Sequence, residues 1–454
     1  MFIIKSPYPN SSEIAYTCDV IFQTFLGLPY RIDKSDDDFF HVTQGKKSIK
    51  ISSEFFAAYE TNTAASLPTK THSWDSRIAG QIKLINYRLP ILFGDAEYLV
   101  SKHSIQIGFD ILGTVFFMLS RYEEINSKSL DNHNRFPSHE SLAYKHGFLD
   151  RPIVDEDVEG LWHAIKSLWP DLQRKIHIAK VNATCDVDAP YEEAAKNLYR
   201  LCRANVANLV KNKTAAGIKQ QFRNYIATQK GNYTRDRYHT FDWFMQTCEN
   251  AGKTASFYFI TDRSAGRIDG YYDLSEPRIT KLIQKMHDRG HEVGVHSSYN
   301  TYQSPHQLRR EREHMIEVCD RNNIKADIQG NRQHYLRWDS AQTPAHLNAA
   351  GYKYDTTGSY SDRVGFRYGT AREFPMWDWI DRKPLTLHQI PLILMECSII
   401  ADRYMGLGYS EEALKTMKKI KERSLTFGGT FTFLWHNSHL TTEKDRDFFT
   451  ELVS

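Results

Sequence analysis

Gly290-His291-Glu292-Val293-Gly294-Val295-His296-Ser297-Ser298-Tyr299-Asn300 is the stretch that decides how this chain is read. A glycine ends a helix-like run, a short β-type run follows, and a histidine stands where that run stops, beside small polar residues. Neutral imidazole is the commonest protein ligand for zinc. The C-terminal end of a strand is also where a β/α barrel places its chemistry. A lone histidine at such a position is as often a hydrogen-bonded core residue. Its weight here comes from the recurrence of the same arrangement along the chain.

From about residue 179, seven short β-type runs alternate with helical or irregular stretches, at residues 180–187, 254–260, 291–295, 325–330, 352–356, 387–394 and 430–435. Residues 277–289 and 305–322 read as amphipathic helices, each with a proline at its start. The second is rich in Arg and Glu on one face, as a solvated helix surface is. Strands alternating with helices indicate a parallel sheet, and seven or eight such units a barrel, complete or broken. The stretch 189–253 is long for one connection and has room for two or three helices.

Residues 1 to about 178 look like a separate α/β unit. Residues 21–27 read as a short helix closed by Gly27, residues 108–125 as a largely buried helix, and 132–150 as a loop. Residues 154–168 read as an amphipathic helix punctuated by Pro170. No recognisable catalytic pattern occurs there. The expected fold is therefore α/β, a distorted (β/α)7–8 barrel over 179–454 preceded by a smaller α/β domain over 1–178.

A chain of 454 residues is too long for one ordinary small domain. The net charge of +3 gives no bulk electrostatic case for nucleic acid or an anionic membrane as partner. An aromatic content of 13% suits a carbohydrate cleft and an apolar core alike. The six cysteines, Cys18, Cys185, Cys202, Cys248, Cys319 and Cys397, are far apart and form no C-x-x-C pair. They read as reduced thiols rather than as a disulfide framework or zinc knuckle. The N-terminus has no basic segment leading into a long apolar one, and no window approaches ~18 uncharged apolar residues. A cytoplasmic protein without a membrane span is expected; the oligomeric state is not legible.

Polar or titratable residues close every β-type run. Asp186 and Asp188 follow the first, Thr261 and Asp262 the second, and His296 the third. Asn331-Arg332-Gln333-His334-Tyr335 follows the fourth, Asp355 closes the fifth, Glu396 lies just past the sixth, and His436 and Asn437 close the seventh. In a parallel barrel those ends converge on one mouth. Residues i and i+2 of a strand point to one face, which makes Asp186 and Asp188 neighbours. Adjacent carboxylates repel unless a cation or a proton intervenes. One of the pair can then bind metal while the other takes a proton from water. By itself the pair would serve equally as a cap at a strand-to-helix turn. Arg332 suits an ion pair that orients Asp186 or Asp188, and His436 suits a general acid. Trp435 and Trp377 fit a sugar site or a core equally.

At these residues the chain resembles the polysaccharide deacetylase superfamily, the NodB-homology barrels of carbohydrate esterase family 4. Thr184-Cys185-Asp186-Val187-Asp188 is similar to the motif T-F-D-D-G in a spaced D-x-D form, and His296-Ser297-Ser298-Tyr299-Asn300 to H-[ST]-x-x-H. Arg332-Gln333-His334-Tyr335 is similar to R-x-P-Y, and Leu434-Trp435-His436-Asn437 to L-x-H. The match spans roughly residues 179 to 440 in motif order, and the region before it resembles the N-terminal extension of a bacterial subgroup.

The resemblance implies Asp186 as catalytic base, held by Arg332, with Asp188 and His296 as ligands of a divalent metal, Zn²⁺ first. It further implies the backbone N–H of Tyr335 facing the oxyanion and His436 as acid. Asp355, Trp435 and Asn437 are expected at the substrate. Two departures matter: Asn300 stands where the motif has its second histidine, and His334 where it has proline. The third ligand is thus His334, Asn300 or neither.

The reading that follows is a metal-dependent hydrolase removing an N-acetyl group from an amino sugar in a glycan or glycan precursor. Its rivals are hydrolysis of another C–N bond, such as a cyclic amide, and a catalytically degenerate barrel that binds glycan.

Overall fold

The computed structural model describes residues 1–60, 71–125, 127–193, 196–202 and 215–454. Its first part is built on a mixed sheet of six strands. These are β1 (Phe2–Ser6), β2 (Tyr30–Lys34), β3 (Phe40–Gln44), β4 (Lys47–Ile51), β7 (Gly94–Val100) and β8 (Ser104–Phe109), in the order β2-β1-β3-β4-β8-β7. A separate hairpin pairs β5 (His72–Asp75) with β6 (Arg88–Ile91). The expected helix over 108–125 starts later and is broken: β8 runs to Phe109, Asp110 caps a helix Ile111–Ser120 by accepting from the Gly113 N–H at 2.7 Å, and Arg121 turns left-handed at φ 55°. The expected helix over 21–27 is the second half of a longer one that begins at Ser12 and ends on left-handed Gly27.

The second part is built on a sheet of nine strands. They are β9 (Lys180–Val187), β10 (Ala255–Ile260), β11 (Glu292–Ser297), β12 (Gly330–Gln333), β13 (Tyr354–Asp355), β14 (Phe374–Asp378), β15 (Lys383–Gln389), β16 (Leu392–Met395) and β17 (Thr430–Leu434). Their order is β14-β15-β13-β12-β11-β10-β9-β17-β16, and every pairing except β14 with β15 is parallel. Strands such as Ala255–Ile260, buried at every residue, are what a parallel sheet covered on both faces requires. β15 and β16 are separated only by Ile390 and Pro391, so one run of chain pairs with β13 through His388 and Gln389 and with β17 from Leu392 onward. Pro391 has no N–H to give to a ladder, which is why the run changes partner there. This kinked run links the two sides of the sheet, which curls into a half-barrel.

Two β assignments from the sequence are corrected. The fourth run was placed at 325–330, but the strand is Gly330–Gln333. Its Asn331, Arg332 and Gln333 are fully buried and polar, so hydropathy does not mark them. The sixth run, 387–394, divides between β15 and β16, and antiparallel β14 before it falls outside the runs read from the sequence. Helices Pro277–Asp288 and Pro305–Arg321 begin at their prolines as expected, and Ser304 caps the second by accepting from the Gln307 N–H. Within 189–253 the described residues include helices Ala215–Gln229 and Phe241–Asn250, while residues 194–195 and 203–214 lie outside the described residues.

One apolar core runs through both parts, and Leu336, Leu392, Met395 and Leu434 form a second, smaller cluster. Helix Ile111–Ser120 lies against β14, where the Phe116 and Trp377 rings meet at 5.5 Å and Trp379 donates its indole N–H to the Ser120 carbonyl. The edge of the large sheet is thereby covered. Trp377 and many of the other aromatic residues are consumed by this packing. Among the described residues no helix is long and apolar enough to cross a membrane.

Candidate active site

Register puts the key groups at one height. Asp186 pairs with Tyr258, and Tyr258 with Gly294; two residues further along, Ile260 pairs with His296 and His296 with Arg332. Asp188 lies two residues past Asp186 and so reaches the level of His296. Gly294 is required by close approach, since a Cβ there would press on the Tyr258 ring, over which the Arg332 guanidinium lies at 5.3 Å.

The imidazole Nε2 of His296 is 3.2 Å from Asp188 Oδ1 and 3.6 Å from Asp186 Oδ2. His334 brings its Nε2 to 3.7 Å from the same Asp188 Oδ1. Each ring is held by its other nitrogen. His296 Nδ1 lies 2.9 Å from the Arg332 carbonyl, an acceptor only, so Nδ1–H donates and Nε2 is the nitrogen that faces Asp188. His334 Nδ1 bonds Asp269 Oδ1 at 2.9 Å, and Asp269 is itself fixed by the N–H groups of Ala265 and Tyr299. Outer carboxylates and carbonyls that aim imidazoles in this way are the usual support of a metal site.

Asp188 Oδ1 is buried and has no aligned hydrogen bond, although two imidazole nitrogens flank it. An orphaned buried carboxylate oxygen is costly. One carboxylate with two Nε2 atoms is a donor set that zinc accepts, so these residues fit a divalent cation. Burial raises the Asp188 carboxyl, but the His334 and His296 imidazoles beside it more than reverse this and hold it well below the usual range. Burial lowers the His334 imidazole, and Asp188 and Asp269 together bring it up to about 9. A cation at the centre would take the place of that shared proton.

Asp186 stands beside this cluster and is almost wholly buried. Arg332 donates to it from Nη1 at 3.3 Å, and its other nitrogens are committed to Thr356 and Thr184. His436 faces the cluster from the other side, with Nε2 3.7 Å from Asp188 Oδ2 and Nδ1 2.5 Å from Glu396 Oε1. Burial disfavours the His436 imidazolium, yet Glu396 above all, with Cys397 and Asp188, raises it well above its ordinary value.

Tyr335 takes the left-handed conformation, φ 62°, and Leu336 follows at φ 54°. Such backbone costs roughly 1–3 kcal/mol per residue and persists only where its surroundings hold it. Arg135, from the first part of the chain, donates to the Tyr335 carbonyl at 2.8 Å, and the His133 ring packs against the Tyr335 ring.

The structure thus brings Asp186, Asp188, His296, His334, Tyr335 and His436 to one cleft of ≈ 220 Å³, with Arg332 behind Asp186. Asn300 is not brought there. Its side-chain N–H donates to the Ser264 carbonyl and its oxygen accepts from Arg337. Three substrate assignments are corrected. Asp355 is fully buried and bonded to Asn331 and Thr357, Trp435 is fully buried in the core, and Asn437 is buried and donates to the Ala189 and Tyr238 carbonyls. None of the three lines the cleft. Three site residues had no assigned role in the sequence reading: Glu396, Asp269 and Arg135. Only Glu396 carried a signal, its place just past a strand.

Residues 2–170 match a family described as one of unknown function, DUF7033. No curated protein matches the chain. Among solved structures, the chain is similar to a Mycobacterium smegmatis protein provisionally designated a polysaccharide deacetylase, with TM-score 0.38, 16% identity, and coverage of 63% of this chain and 84% of that one. It is similar to Puue allantoinase, with TM-score 0.34, 12% identity, and coverage of 61% and 83%. It is also similar to a Pseudomonas aeruginosa PAO1 protein with the same provisional deacetylase designation, with TM-score 0.33, 14% identity, and coverage of 61% and 84%. Likenesses of this size decide neither fold nor activity, and the functional argument rests on the site.

Proposed function

We propose that this protein is a metal-dependent hydrolase that removes an N-acetyl group from an amino sugar in a glycan or glycan precursor. The observation that carries the reading is the unpartnered Asp188 oxygen between the Nε2 atoms of His296 and His334, with a second carboxylate, Asp186, held beside it by Arg332. A divalent cation there, Zn²⁺ by its donor set, would polarise an acyl carbonyl and acidify water. Asp186 takes the proton of the attacking water, and Arg332 keeps its carboxylate aimed. The Tyr335 N–H faces the oxygen on which charge develops. His436, backed by Glu396, protonates the leaving nitrogen. The cleft, at ≈ 220 Å³, is smaller than the roughly 300–1,000 Å³ of pockets that enclose a drug-sized ligand. It suits an acetamido group entering from a larger saccharide that stays outside.

The test is metal analysis of chelator-free protein, followed by acetate release from a panel of N-acetylated saccharides and nucleotide-linked sugars, with cyclic amides alongside. Metal-dependent acetate release from an N-acetyl sugar is expected. Turnover of cyclic amides alone would move the substrate to another C–N bond. Failure to take up stoichiometric metal would remove the electrophile and favour a glycan-binding barrel.

A further inference from the structure

A second group of ligand-type side chains lies on the far side of His436. Glu396 and Cys397 begin the short helix that follows β16, and His439 ends the turn that follows β17. β16 and β17 are paired neighbours, so the two segments meet. One donor atom from each of Glu396, Cys397, His436 and His439 lies within 4.8 Å of all the others.

The hydrogen bonding of this group is unbalanced. Glu396 Oε1 faces His436 Nδ1 at 2.5 Å, His439 Nδ1 at 2.9 Å, the His436 N–H at 3.2 Å and Cys397 Sγ at 3.6 Å. Four donors converge on an oxygen that offers two lone pairs. Glu396 Oε2, meanwhile, is buried with no partner, on a residue only 2% exposed. A cation among Sγ, the two Nδ1 atoms and the carboxylate would resolve both faults. Ligands of a tetrahedral zinc with bonds of about 2.0–2.3 Å lie roughly 3.3–3.8 Å apart. Cys397 Sγ is already 3.4 Å from His439 Nδ1 and 3.6 Å from Glu396 Oε1, and the two short Oε1–Nδ1 distances need to open by about 1 Å.

We propose that Glu396, Cys397, His436 and His439 form a second, thiolate-containing site for a borderline-soft divalent cation such as Zn²⁺, one imidazole away from the first. Binding forms a metal–sulfur and two metal–nitrogen bonds, breaks the Cys397 S–H bond and the two Nδ1–H bonds directed at Glu396, and releases those protons to solvent. Thiolate with imidazole selects zinc-like ions over Mg²⁺ or Ca²⁺. The two sites share His436, whose Nε2 faces Asp188 and whose Nδ1 faces the second group. Occupancy would take the Nδ1 that Glu396 otherwise holds and so silence the proton donor. That consequence rests on the hydrolase reading; the binding itself does not.

The experiment is Co²⁺ titration of chelator-treated full-length protein, with bound ions counted and the thiolate-to-cobalt charge-transfer absorption followed. Wild type is expected to bind two ions and show the band. Cys397→Ser should bind one ion and lose the band, and His439→Ala, at a half-exposed position, should also lose the second ion. His334→Ala should bind one ion and keep the band. A wild type with no thiolate band at saturation, or a band that survives in Cys397→Ser, overturns the proposal. A single ion with a band that His334→Ala leaves untouched would uphold this site and overturn the first.

Discussion

At the scale of single residues, the site separates ligand from base by what each carboxylate touches. Asp188 meets two imidazole nitrogens and leaves one oxygen unpaired, whereas Asp186 is taken up by Arg332. Asp186→Asn should therefore keep its metal and lose about 10²–10⁴-fold in turnover, the usual worth of a general base; side-by-side metal content and turnover measurements check this. His334 and Asn300 divide in the same way. His334 faces Asp188, while both polar atoms of the Asn300 side chain are spent on Ser264 and Arg337. His334→Ala should weaken metal binding by more than the roughly 10–100-fold that follows loss of an outer-shell partner, and Asn300→Ala should scarcely change it. Competition against a chelator of known affinity measures both. Equal losses in the two variants would remove His334 from its role.

At the scale of elements, each strand end is held in place by the helix or loop that covers it. Helix Pro305–Arg321 secures the turn after β11 through Glu311, which accepts the Ser298 N–H at 2.9 Å, the Ser298 hydroxyl and the Gln307 side chain. Burial pushes the Glu311 carboxyl up to about 7 from its ordinary 4.5. A carboxyl raised in the fold favours the protonated folded state. Its contribution to stability is complete below pH 4.5, declines as the pH rises from there to about 7, and is flat above. Glu311→Gln should thus flatten the pH dependence over that window, as read from urea midpoints at stepped pH. An unchanged slope would show that the carboxyl ionises in the fold as it does in water. The kinked run 383–395 illustrates how far an element can be read in advance: its apolar character marks a strand, but the change of partner at Pro391 depends on β13 and β17 being brought to its two sides.

At the scale of the whole molecule, the first part of the chain is bound into the barrel. Glu124 is buried and bonded by Arg367 through two nitrogens, at 2.6 and 3.0 Å, and by Arg121 at 2.8 Å. Arg135 and His133 support the strained Tyr335 turn from the same side. Removing one partner of a buried ion pair costs about 3–5 kcal/mol, because the other charge is left unpaired. Arg367→Ala should lower stability by less than that amount, because Arg121 and the Ser340 hydroxyl still hold Glu124. Thermal unfolding of the wild type should be one transition, whether followed by calorimetry or by aromatic fluorescence, because the apolar core is continuous. Two resolved transitions, with Arg367→Ala shifting only one, would show that residues 1–178 and 179–454 fold as independent units.

The sequence by itself determined the parallel α/β rhythm, because apolar runs of strand length separated by proline-started helices have few other uses. It also determined that Asp186, Asp188, His296 and His436 stand at strand ends, because those runs stop there. Tertiary structure alone decided which of the candidates meet. Asn300 and His334 were alternatives until the fold turned one toward Ser264 and the other toward Asp188. Asp355, Trp435 and Asn437 stand at or just past strand ends too, yet the fold buries all three, Asp355 against Asn331 and Thr357, Trp435 in the apolar core and Asn437 against the Ala189 and Tyr238 carbonyls. Asp269 and Arg135 act across 65 and 200 residues of chain, so no local pattern could have named them. Strand β12 stayed hidden because its polar side chains are buried against partners that only the assembled barrel supplies.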